Sequence, residues 1–140
     1  MTGRTGPLLL ALAALAACGP GGEEWPFAVS RSSGITIVTE RPAAEERLRN
    51  ATLDHGAFFV AKDCLQVRVG SGVFTPILPR GSSLEAGGSR IVVGGRRFET
   101  GRRYSLPFAA EVGPAPGEAA QSIGLPAACS QRLLSMGAPA

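Results

Sequence analysis

Three cysteines, one histidine and a short arginine-rich stretch are the residues of this chain whose types could carry chemistry. His55 is the single histidine, with Asp54 beside it and Asp63 nearby in sequence. A histidine next to a carboxylate is two thirds of a hydrolytic triad, but the third member must be an activated serine. The G-x-S-x-G turn that would present one does not occur. His55 therefore reads as a surface side chain in a loop ahead of a strand, and no catalytic residue is assigned. Gly70-Ser71-Gly72 is too short for a phosphate- or dinucleotide-binding loop. Its continuation, "VFTPIL", has strand character where such a loop needs a helix.

Residues 95–104 read "GRRFETGRRY". Arg96, Arg97, Arg102 and Arg103 are interleaved with Phe98 and Tyr104, a composition that can hold phosphate-bearing polymers through charge and stacking. These four arginines are the candidate anion patch. Consecutive strand residues point to opposite faces, so all four share a surface only if the strand is interrupted between them. The whole chain has a net charge of +3, which is mildly basic and selects no class of partner.

The elements that position these residues read as mainly β. "GITIVT" at 34–39 is β-branched and apolar, as in a strand. "RPAAEERLRN" at 41–50 changes character. Pro42 suits a first helical turn and Glu45 stands one turn before Arg49, so a short helix is expected. Residues 57–61 are a continuous apolar run, Lys62-Asp63 is a turn, and 64–69 alternate with the period of a half-buried strand. Strands are also expected at 73–78, 90–93, 96–99 and 103–108, with Gly94-Gly95 as a hairpin turn. Pro76 has no N–H to donate, which places its strand at an edge or a bulge. Residues 113–128 are rich in Pro, Gly and Ala and read as a loop, and 130–135 as a final helical turn. This gives roughly five to seven short strands and one short helix, hence a small antiparallel barrel or sandwich.

The N-terminal segment has a different plan. "MTGRTGPLLLALAALAACGPGG" carries one positive charge, Arg4, before an apolar stretch over 7–17 and then Cys18. A charged start, a short apolar core and small residues describe a secretory signal. At ~1.5 Å per residue the stretch covers only about 16 Å, short of the roughly 20 apolar residues a spanning helix needs. Leu15, Ala16, Ala17 and Cys18 resemble the lipobox of bacterial lipoproteins. That resemblance implies a diacylglyceryl group on the thiol of Cys18, cleavage between Ala17 and Cys18, and acylation of the new amino group. It also implies a membrane partner reached through that lipid. Two or three chains anchor essentially permanently, where one alone is marginal. Gly19, rather than aspartate, comes after the cysteine, which by the same resemblance favours the outer membrane, facing the periplasm. The expected organisation is a signal peptide over 1–17, a flexible tether over 18–26, and one β-rich domain over 27–140 with a loop-rich tail.

With Cys18 taken by lipid, Cys64 and Cys129 remain. In an oxidising compartment an isolated pair is expected to join, stapling the tail to the sheet. That leaves too few soft ligands for zinc, and no D-x-D-x-D-G calcium loop is present. No metal or cofactor is expected. An envelope location also argues against nucleic acid as a target of the arginines, and for phosphate-rich lipids or cell-wall polymers.

The order "DCLQV…TPILPRG…GG…F…G" over about residues 56–108 resembles small bacterial exported proteins with a compact β-barrel core. They pair a "GCL" strand with a subsequent Pro-x-Gly turn. Here Asp63 stands where the glycine is expected and Arg80 fills the variable place. The resemblance implies a fold and brings no activity. The functional expectation is a non-enzymatic, lipid-tethered domain that binds or scaffolds an envelope protein or cell-wall polymer. The alternative is an inhibitor of a cell-wall hydrolase, because small lipidated barrels with one disulfide include lysozyme inhibitors. A hydrolytic enzyme ranks last, for want of an acid–base pair.

Overall fold

The computed structural model describes residues 25–41, 51–112 and 117–137. Cys18 and the helix expected at 41–50, Arg41 apart, lie outside the described residues. The elements run β1 (Phe27–Ser32), β2 (Ile35–Glu40), β3 (Thr52–Ala61), β4 (Cys64–Val69), β5 (Gly72–Leu78), β6 (Ser83–Leu84), β7 (Arg90–Val93), β8 (Arg96–Glu99), β9 (Arg103–Glu111), α1 (Glu118–Ser122) and β10 (Leu133–Met136). The fold is mainly β, as the sequence predicts, with one short α-helix, α1, among the described residues.

Seven strands form one sheet, and it closes. β4 pairs with β3, β3 with β9, β9 with β10 and β10 with β5, and β5 returns to β4. Closure removes free edges along this ring. β2 wedges in where β4 and β5 separate, meeting β4 at Thr36↔Cys64 and β5 at Val38↔Ile77 and Thr39↔Leu78. β1 lies outside β2 as a hairpin partner. β6, β7 and β8 form a second, three-stranded sheet.

Two apolar clusters sit on the two sides of the barrel wall. The inner one gathers Phe58, Leu65, Val67, Leu106, Phe108 and Met136 with Ile91, Val93 and Phe98 of the small sheet. The outer one joins Val38, Ile77 and Leu133 to Ala119, Ala120 and Leu125 of the tail, around Cys64 and Cys129. This explains why "GITIVT" is β-branched and largely apolar rather than alternating. β2 is covered on both faces, with Ile35 and Ile37 in the inner cluster and Val38 in the outer.

Several details depart from the sequence reading. Among the described residues ten strands form, and the pairings β10–β5, β2–β4 and β2–β5 are parallel. Of residues 130–135, expected in a helical turn, 133–135 belong instead to β10, which lies between β9 and β5. Leu133 and Leu134 face opposite clusters there, as a strand demands. α1 lies inside the segment expected to be loop, held by burial of Ala119 and Ala120.

β5 is not an edge strand, and the register explains how it tolerates Pro76. Thr75 N–H donates to Arg132 C=O at 2.8 Å, on the β10 side. Successive N–H groups of a strand alternate sides, so the nitrogen of Pro76 faces the other way. There, β4 pairing ends at Phe74 and β2 pairing begins at Ile77. The missing donor falls in the handover between two neighbours, where no ladder bond is required.

Candidate functional site

The arginine-rich stretch is divided between two strands of different sheets. β8 carries Arg96 and Arg97, residues 100–102 turn, and β9 begins at Arg103. Phe98 anchors this region. Its ring lies 6.0 Å from that of Phe58 and 5.0 Å, edge-on, from Tyr104. The Tyr104 hydroxyl accepts the Glu99 N–H at 2.9 Å, which ties the end of β8 to the start of β9.

The four arginines have distinct surroundings. Arg97 Nε donates to Glu85 at 2.9 Å, and Glu85 also meets Arg90 at 3.8 Å. Arg102 meets Glu99 at 3.9 Å and stacks over Tyr104 at 5.7 Å. Arg96 stacks over Phe98 at 5.3 Å. Arg103 alone of the four stands on the outer face of the barrel, opposite Ala57 of β3. Ala57 is in turn opposite Arg68 of β4, so Arg68, which sequence reasoning did not single out, joins Arg103 in one row. No sequence signal links positions 68 and 103; only the shared partner Ala57 does.

Cys64 and Cys129 are bonded, with their Cα atoms 5.5 Å apart across 65 residues of sequence. Both are buried in the outer cluster. The bond fixes the tail that carries α1 against β4. His55 is exposed and lies within β3, opposite Ser105, rather than in a preceding loop. Its own N–H donates to Asp54 Oδ1 at 2.7 Å, so this aspartate serves the backbone of His55. Among the described residues no cluster of three or more His, Cys, Asp or Glu side chains could hold a metal ion.

A cleft of about 260 Å³ opens between β1, β2, β9 and β10. Trp25, Phe27, Ile77 and Val112 give it apolar walls, and Glu40 and Ser135 add polar groups. The Trp25 and Phe27 rings lie 5.7 Å apart. At its rim Glu111 receives two hydrogen bonds from Arg132, at 2.8 and 3.0 Å. These bonds hold the Glu111 carboxyl below its ordinary range; burial opposes them, and the charge of Arg132 adds a smaller lowering effect. Arg132 also covers the Phe74 ring at 4.5 Å. The described lining contains no histidine, lysine or cysteine. It therefore offers no nucleophile–base pair of the Ser-His or Cys-His kind.

No protein-family model, no curated protein and no solved structure matches this chain. Among the described residues no helix is long and apolar enough to cross a membrane.

Proposed function

We propose that the protein is a non-enzymatic envelope lipoprotein, a small disulfide-stapled barrel tethered through lipid on Cys18 at the outer membrane and facing the periplasm. The observation that carries this reading is the run "LAAC" at 15–18 behind a short apolar core, with "GPGGEE" after it. The bond between Cys64 and Cys129 supports it, since structural disulfides belong to oxidising compartments. The role in this reading is binding or scaffolding of an envelope protein or cell-wall polymer.

Metabolic labelling with a fatty acid tests the anchor. The parent chain incorporates label and sediments with membranes, and Cys18→Ser does neither. Normal labelling of Cys18→Ser would remove the reading. The same preparation, assayed against lysozyme, separates scaffolding from inhibition of a cell-wall hydrolase.

A further inference from the structure

We infer that the outer face of β3, β4 and β9 is a docking surface for the phosphate headgroups of an anionic membrane. Arg68, Ala57 and Arg103 are direct cross-strand partners in two antiparallel pairings, so their side chains share one face. Two strand spacings of about 4.8 Å separate the arginine backbones by roughly 10 Å. Between them lies only the methyl group of Ala57. The row is thus a shallow saddle with a guanidinium on each side.

The two cations are available. Both side chains are exposed, and neither meets a carboxylate among the described residues. Arg68 lies over the Phe59 ring at 5.5 Å, which lays the guanidinium along the sheet. Of the acids close to this row in sequence, Glu99 meets Arg102 and Asp54 takes the His55 N–H.

Apolar groups on the same face select a membrane over a soluble anion. Residues 53, 55, 57 and 59 of β3 alternate onto this face. Leu53 is 72% exposed, the one large hydrophobic side chain so exposed among the described residues, and its partner on β9 is Pro107. Cations on the same face as an exposed leucine, four residues along β3 from Ala57, suit the boundary between headgroups and acyl chains. The inference takes its setting from the proposed anchor on Cys18, which would hold this face near a lipid surface.

The test uses the full chain carrying Cys18→Ser, so that no acyl chain contributes. Its binding is measured by co-sedimentation with phosphatidylcholine vesicles, with and without phosphatidylglycerol. Anionic vesicles are expected to bind it more tightly than neutral ones. Each arginine near an anionic surface is worth about fivefold, so Arg68→Ser with Arg103→Ser should weaken binding about twenty-five-fold. Arg31→Ser with Arg80→Ser removes the same charge elsewhere and should change binding little. Residues 7–17 are common to all chains and cancel in these ratios. An unaltered Arg68/Arg103 variant, or an equal loss in the Arg31/Arg80 variant, overturns the inference. So does binding of inorganic phosphate at Ala57 without vesicle binding. None of these outcomes bears on fatty-acid labelling of Cys18, which is read separately.

Discussion

Cys64, the first residue of β4, is bonded to Cys129 at the base of the C-terminal tail, and both sulfurs are buried in the same apolar cluster. The bond joins two parts of the chain that are 65 residues apart in sequence. Ser130 adds two hydrogen bonds, accepting Thr75 Oγ1–H at its carbonyl at 2.6 Å and donating its own hydroxyl to Val73 C=O at 2.9 Å. The tail is therefore fastened to β4 covalently and to β5 by hydrogen bonds.

Removing this bond should cost a large share of the stability. Closing a loop of about 65 residues is worth about 4 kcal/mol on the chain-entropy model. The double variant Cys64→Ala, Cys129→Ala should lower the urea midpoint substantially, and reductant should do the same to the parent chain. Non-reducing peptide mapping of the exported protein should recover the joined fragment. An unchanged midpoint under reductant, with the thiols shown to be free, would refute this.

The turn ahead of Cys64 gives a second prediction. Lys62 and Asp63 sit at φ of 52° and 59°, both in the left-handed region. Such a two-residue hairpin turn matches the twist of β3 and β4 but favours glycine or asparagine. Asp63→Val should destabilise by about 1–2 kcal/mol, the cost of left-handed backbone for a residue with a branched Cβ. Asp63→Gly should be neutral or stabilising by up to about 1 kcal/mol. Denaturation of the two variants side by side checks the order, and equal effects would show that the backbone angle is not the cause.

What could be read from the sequence depends on how local each signal is. "RIVVGGRRFE" specifies β7, the turn and β8, because a hairpin keeps its pattern and its partner within ten residues of sequence. β10 was not legible: its partners are Thr75 to Ile77 and the end of β9, far away in the chain, and four residues carry no periodicity of their own. Pro76 was misleading in the same way, since its tolerance depends on where β4 hands over to β2. The arginine-rich stretch was visible as composition, but the pairing of Arg103 with Arg68 arises only from register through Ala57. The disulfide was accessible by counting cysteines. The short helix α1 was not, because a single turn held by two buried alanines leaves no amphipathic pattern.

Phe98 is expected to be the residue that couples the small sheet to the barrel. It is 2% exposed and contacts the rings of both Phe58 and Tyr104. Phe98→Ala should cost about 3–5 kcal/mol through lost burial and the cavity left behind. Tyr104→Phe keeps the ring and removes only the acceptor of the Glu99 N–H, so about 1 kcal/mol is expected. If Tyr104→Phe cost as much as Phe98→Ala, the hydrogen bond rather than the packing would be holding the two sheets together.

The Glu111–Arg132 pair should give stability a measurable dependence on acid. Two hydrogen bonds from Arg132 lower the Glu111 pKa in the folded chain relative to the unfolded one. A depressed carboxyl pKa means that the unfolded chain binds the proton more readily, so its contribution is present at neutral pH and is lost as pH falls through the carboxylate range. The unfolded glutamate titrates near about 4.3, and the loss is completed below that value, once the folded carboxyl has also been protonated. Glu111→Gln should therefore be less stable than the parent at neutral pH, and the two curves should converge in acid. Both side chains are substantially solvent-exposed, so raising the salt concentration should narrow the neutral-pH gap as well. Denaturation of the parent and Glu111→Gln across this range measures the gap directly, and carboxyl NMR of the parent locates the titration. A gap that persists undiminished in acid would mean that the substitution acts on packing at the rim of the cleft rather than on the charge of Glu111.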